Sequence, residues 1–150
     1  MLDEYIKLFS GYDGDFGIAD MSKAKLDSER NKLKPDYEWS GRPITPVDYK
    51  NHLEGKISIG IQPCKLDKTA QFACIDIDPK NYADFKVADY LAKFQQYKLP
   101  LIPLLSKSGG LHCYIFLKES IPASDLIESL KAFLLPLGLK PTTEIFPKQK

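Results

Sequence analysis

From residue 56 onward, short strand-like segments alternate with amphipathic stretches in the order β-β-α-β-β-α-β, and this order predicts an α+β fold. Two further observations support it. The segments 57–61, 71–78, 101–105, 111–117 and 142–146 are short and either alternate or run apolar, as strands do. The segments 83–97 and 123–135 repeat apolar residues every three or four positions, as helices do. The expected architecture is one mixed β-sheet of RRM-like character with helices packed on one face. An irregular, partly helical arm over residues 1–55 precedes this core and is expected to be part of the same domain.

In order, residues 1–10 predict a short helix, with Leu2, Ile6 and Leu8/Phe9 at helical spacing. Residues 11–43 hold Gly11, Gly14, Gly17, Pro35, Gly41 and Pro43 and no sustained period, so they read as irregular. Thr45-Pro46-Val47-Asp48 is a helix start: N-cap, proline in the first turn, then an acid. That helix is expected to end near His52–Glu54, before Gly55. Ile57, Ile59 and Ile61 then share one face of a strand, and Gln71 to Asp78 form the next. Val87, Tyr90, Leu91 and Phe94 stripe one helix; Leu126, Ile127, Leu130, Phe133 and Leu134 stripe the other. Leu101–Leu105 and Leu111–Leu117 are strands joined by Ser106-Lys107-Ser108-Gly109-Gly110, a hairpin-length connection.

Composition narrows the class. With 43% hydrophobic and 27% charged residues in 150, a disordered chain, a collagen-like fibre and a coiled coil are excluded. No run approaches the roughly 18 apolar residues of a membrane span, so no membrane partner is expected. The start Met1-Leu2-Asp3-Glu4-Tyr5 lacks the basic-then-apolar pattern of a secretory signal. Cys64, Cys74 and Cys113 form no CxxC and cannot all pair, which favours a reducing, cytoplasmic setting and thiols that act as small buried hydrophobes. With only His52 and His112 besides, no zinc is expected. The net charge of +1 argues against a general nucleic-acid glue, but it is unevenly spread. Residues 1–55 carry 8 basic and 11 acidic side chains, a sum of −3; residues 56–150 carry 13 and 9, a sum of +4.

Three local signals bear on chemistry. In Phe72-Ala73-Cys74-Ile75-Asp76-Ile77-Asp78, Asp76 and Asp78 fall on one strand face about 7 Å apart. Two such acids either turn out into solvent or hold a divalent cation, and all-oxygen ligands suit Mg²⁺ or Mn²⁺. In Ser106-Lys107-Ser108-Gly109-Gly110-Leu111-His112, glycines, hydroxyls and a cation offer anion-binding donors, and alternation puts His112 on the face opposite Leu111 and Cys113. Taken alone, His112 also reads as an incidental surface residue. Glu144, in a short apolar strand, is either an edge residue in water or a third carboxylate. Together the three signals fit two-metal phosphoryl or nucleotidyl transfer.

The order of these motifs, an aspartate pair, Ser-x-Ser-Gly-Gly-x-His, then an acid on a final strand, resembles the archaeo-eukaryotic primase superfamily of primase–polymerases. The flanks His52-Leu53-Glu54-Gly55-Lys56, Ile59-Gly60-Ile61-Gln62-Pro63 and Glu144-Ile145-Phe146-Pro147-Lys148-Gln149 are similar to the primase domain of TOTE conflict systems and to related CRISPR-associated or phage enzymes. The likeness covers residues 45–149, and Leu8-Phe9-Ser10-Gly11 and Tyr37-Glu38-Trp39 more loosely. It implies template-directed nucleotidyl transfer from NTPs or dNTPs with Mg²⁺ or Mn²⁺. By motif, Asp76 and Asp78 would ligate metal, with Glu144 in the place of the third carboxylate. Ser106, Lys107, Ser108, Gly109, Gly110 and His112 would bind the triphosphate, and Lys148 and Gln149 would face nucleotide or template. The implied partners are a single-stranded DNA template, an RNA or DNA primer, and a helicase or further C-terminal domains on a longer chain, in a bacterial, phage or mobile-element setting.

Family members continue past the third motif, whereas this sequence stops at Lys150, so it reads as a catalytic core fragment or a minimal version. Two other readings stay open. A non-catalytic RRM-like module would stack single-stranded bases on Tyr114 and Phe116, although Asp76 and Asp78 on the same face oppose phosphate. A metal-dependent phosphodiesterase or nuclease uses similar carboxylates. Arg42 and Trp39 either contact template or pack the N-terminal arm, and packing is expected for Trp39.

Overall fold

Hydrophobic alternation turns one face of a four-stranded antiparallel sheet toward two helices. The computed structural model describes residues 1–20, 25–27, 32–34, 36–106 and 108–149; Lys107, one of the expected site residues, lies outside them. The chain divides into two compact units, Met1–Gln62 and Pro63–Lys150. None of the described helices is long and apolar enough to cross a membrane.

In the first unit, α1 (Leu2–Leu8) is followed by β1 (Gly17–Asp20), a β2–β3 ribbon (Lys25–Asp27 and Lys32–Lys34), β4 (Glu38–Trp39), α2 (Pro46–Leu53) and β5 (Ile57–Gly60). The sheet order is β4-β1-β5, antiparallel throughout. Strands thus stand where residues 11–43 are expected to be irregular. They are two to four residues long, too short to show a period. Strand β5, expected in the main sheet, pairs with β1 instead. Alternation reports that a strand has one buried face, not which strand it pairs with. At the start of α2, the Asp48 carboxylate accepts from Thr45 N and Thr45 Oγ1 at 2.9 and 2.7 Å. It also takes both guanidinium nitrogens of Arg42, at 2.8 and 2.7 Å. The Arg42 guanidinium lies over the Phe16 ring at 5.2 Å, so Arg42 is a structural brace of this unit.

The second unit holds β6 (Thr69–Ile77), α3 (Val87–Gln96), β7 (Ile102–Leu105), β8 (Leu111–Pro122), α4 (Ala123–Leu137) and β9 (Glu144–Phe146). This β-α-β-β-α-β run forms a sheet of order β7-β8-β6-β9, the split βαβ arrangement that the RRM-like expectation requires. Contrary to the mixed sheet expected, every pairing is antiparallel. Strands β6 and β7 run the same way, but β8 lies between them. Ala73, Ile75 and Ile77 of β6 and Leu111 and Cys113 of β8 face the core. There they meet Tyr90 and Phe94 of α3 and Leu126, Leu130, Leu134 and Leu137 of α4. Burying each leucine contributes about 2 kcal/mol, which explains why the apolar stripes dictate the helix faces. Helix α3 starts at Val87 rather than 83, because Tyr82 and Phe85 pack against the core from the loop before it. The Lys93 ammonium of α3 donates to Leu137 O at 2.7 Å, closing the C-terminal end of α4.

Candidate active site

Register decides which side chains share the face turned away from the helices. Asp76 of β6 stands opposite His112 of β8 on one side and opposite Glu144 of β9 on the other. His112 in turn stands opposite Leu104 of β7. One row across the sheet therefore reads Leu104–His112–Asp76–Glu144, and directly opposite residues bring their Cβ atoms to about 5 Å. The next row reads Ile102–Tyr114–Cys74–Phe146. Strand alternation at Asp76 and His112 foretells both residues' face, and the structure adds that they are direct neighbours.

Each acid of the row has a basic neighbour. His112 Nε2 lies 3.7 Å from Asp76 Oδ1. Lys148 Nζ donates to Glu144 Oε1 at 2.7 Å and lies 5.0 Å from the Phe146 ring centre. Asp78, just past the end of β6, accepts from Lys80 N at 3.1 Å and from Lys80 Nζ at 2.6 Å, capping the short helical turn Pro79–Asn81. Burial pushes the Asp76 carboxyl above its ordinary value; His112 opposes this, while the Glu144 and Asp78 carboxylates reinforce it. Among the described residues, no three His, Cys, Asp or Glu side chains are arranged to hold a metal ion as they stand. Glu144 is turned to Lys148 and Asp78 to Lys80. Gln149 is exposed one residue beyond Lys148.

The glycine turn is built against the acid strand. Gly109 adopts φ +80°, and Gly110 has no room for a side chain: a β-carbon there would run into Ile77 O and the Pro79 ring. Ser106 N donates to Gly110 O at 2.9 Å, Gly109 N to Ser106 O at 3.0 Å, and Gly110 N to Ser106 Oγ at 3.0 Å. The Ser106 hydroxyl is thus a brace of the turn, 3.1 Å from Ser108 Oγ, whereas Ser108 is exposed.

Two contributors were not singled out in the sequence. Lys80 follows Asp78 at the spacing of a capped turn, a legible signal. Tyr82 is different. Its hydroxyl lies 2.7 Å from Thr143 Oγ1 and accepts from Lys140 N at 3.3 Å, fastening the loop after β6 to the entry of β9, 61 residues away. No local pattern encodes such a tie. Phe116 stacks on Tyr114 at 5.8 Å and on buried Phe72 at 6.2 Å.

The family model described as the archaeo-eukaryotic primase domain of TOTE conflict systems matches residues 17–149. The chain belongs to that family. The resemblance to the TOTE primase domain is therefore correct, and a primase-type, nucleotidyl-transferring role holds for the family as a whole. No curated protein matches the chain. The matched span of the TOTE primase domain takes in both units: most of the first, from β1, and the whole second unit up to Gln149.

Proposed function

We propose that this TOTE primase domain is the core of a DNA primase–polymerase. It would join a nucleotide from an NTP or dNTP to a 3′-hydroxyl or an initiating nucleotide on a single-stranded DNA template. The observation that carries the reading is the row His112–Asp76–Glu144 with the Ser106–Gly110 turn seated on the end of the same strand. It sets carboxylates for cations beside donors for phosphate.

Asp76, Asp78 and Glu144 form an all-oxygen set that fits Mg²⁺ or Mn²⁺. A desolvated carboxyl between two others is stabilised by a cation more than by any neutral partner. When bound, the cations supply Lewis-acid activation of the attacking oxygen and offset charge on the phosphates. In the transfer, the hydroxyl oxygen bonds to the α-phosphorus, the bond to the bridging oxygen breaks, pyrophosphate leaves, and the hydroxyl proton passes to water. His112, whose side chain is partly exposed, would donate to the triphosphate together with Ser108. Ser106, Gly109 and Gly110 shape the turn, and Lys107 belongs to the same segment. Lys148 and Gln149 would face nucleotide or template at the outer end of the row.

The test is incubation with a homopolymer single strand, a labelled complementary nucleotide and Mn²⁺, with and without an annealed primer. Template-dependent incorporation is expected. Retention of the strand without incorporation would leave a binding module, and strand cleavage a nuclease; either sinks the proposal.

A further inference from the structure

We propose that Tyr37 and Trp39, on the first unit's sheet, form a stacking platform for unpaired nucleobases of a single strand. The inference extends the primase reading by naming where the template is gripped, and it rests on that reading for the strand's identity.

Both aromatic rings are turned to solvent, Tyr37 at 58% and Trp39 at 61% exposure. Packing is expected for Trp39 from the sequence, and the structure overturns this. β4 is an edge strand of the order β4-β1-β5, paired among the described residues with β1 alone. Residues two apart share a face, so the two rings stand on one side about 7 Å apart. An extended single strand presents successive bases at a comparable step, and every base has a π-face to stack.

The floor beneath the rings is made of small residues. Trp39 stands opposite Gly17, and Gly17 opposite Gly60. A β-carbon added at Gly60 would meet only Gly17 Cα, at 3.9 Å, so the space over that glycine pair is open. Tyr37, one step before the Ile18–Glu38 pair, stands beside Ala19, which is opposite Ser58. Its hydroxyl reaches Ser58 Oγ at 2.8 Å, so the phenol spans β1 and covers buried Ala19. That hydrogen bond ties the end of the ring to β5 while more than half of the side chain stays exposed. A ring fixed in this way loses little entropy on binding. Glu38 points to the opposite face.

Charge favours a polyanion here. Residues 21–36 carry Lys23, Lys25, Arg30, Lys32 and Lys34 against Asp27, Glu29 and Asp36, a sum of +2 inside an arm whose total is −3. In the β2–β3 ribbon, on the chain leading into Tyr37, Lys25 pairs with Lys34 and Asp27 with Lys32. A net positive stretch next to the rings in sequence favours a polyanionic strand over a neutral ligand.

Trp39 is the chain's one tryptophan, so intrinsic tryptophan fluorescence reports on this site alone. Titrating the whole chain with oligo-dT is expected to quench that emission to saturation. An abasic strand of the same length should bind more weakly and leave emission nearly unchanged. With an end-labelled strand read by anisotropy, Tyr37→Ala and Trp39→Ala should each weaken binding about fivefold or more, and Trp39→Phe by less. Tyr37→Phe, which keeps the ring and loses the Ser58 bond, controls for folding by circular dichroism. Binding by anisotropy with no quenching, or with unchanged affinity in both alanine variants, overturns the platform. So does recruitment of a second copy of the chain or another protein by these rings without any strand. Asp76→Asn with Asp78→Asn should quench like the parent. Quenching without incorporation by the parent chain would therefore sink the catalytic reading and leave the platform standing.

Discussion

Asp76 bears a cost that a purely structural residue would not. Its carboxyl is desolvated and faces two further carboxylates, Glu144 and Asp78, with His112 as the one countering neighbour in its own row. Replacing it with an amide removes like-charge repulsion. Asp76→Asn with Asp78→Asn is therefore expected to hold or slightly raise the melting temperature while reducing Mn²⁺-dependent incorporation by about a thousandfold or more. A melting temperature that drops by several degrees would mark the acids as structural, as would undiminished incorporation. His112 offers a ring N–H donor, so His112→Ala is expected to weaken nucleotide binding about tenfold, with little effect on strand retention. Equilibrium binding of a labelled triphosphate, with and without template, separates the two.

At the scale of elements, the turn before β8 and the end of β6 are in contact without a gap. Gly110→Ala forces a β-carbon onto Ile77 O, so it should destabilise the second unit by about 2 kcal/mol and weaken nucleotide affinity together. Chemical denaturation and triphosphate binding on the same variant check this; a variant with parental values in both would show that the turn can slide. In the first unit, Arg42 holds the Asp48 carboxyl far below the usual carboxylate range, aided by Thr45. A depressed carboxyl stabilises the fold above its unfolded value, near pH 4, and that contribution fades as pH falls toward the folded value. Asp48→Asn should then cost about 2 kcal/mol at pH 7, less than a fully buried pair because Arg42 is half exposed, and the difference from the parent should shrink below about pH 3. Urea titrations at pH 7 and pH 3 give the comparison. Legibility follows the same division. The helices α3 and α4, and the facing of Asp76 and His112, were readable because period and alternation are local. The pairing of β5 with β1, the strands within 11–43 and the Tyr82–Thr143 tie depend on partners far away in sequence, and no window of residues contains them.

For the molecule as a whole, a net charge of +1 conceals separate concentrations of charge: an acid row on the second unit's sheet and a basic stretch at 21–36. A cation that binds the native row and not the unfolded chain must raise stability in proportion to the logarithm of its concentration. Mn²⁺ at about tenfold over its dissociation constant should add about 1.4 kcal/mol, visible as a rise in melting temperature that EDTA reverses and Asp76→Asn with Asp78→Asn abolishes. A melting temperature indifferent to Mn²⁺ would deny the row its ligand. One feature of the second unit also supplies a clock. Cys74 and Cys113 are buried in β6 and β8, and burial pushes the Cys113 thiol up to about 12 and the Cys74 thiol higher still. Neither can react with a disulfide reagent while those strands stay paired. The rate at which such a reagent labels them in native buffer therefore times the opening of the strands that carry Asp76 and His112. A slowing on addition of nucleotide would register how tightly the substrate clamps the sheet shut.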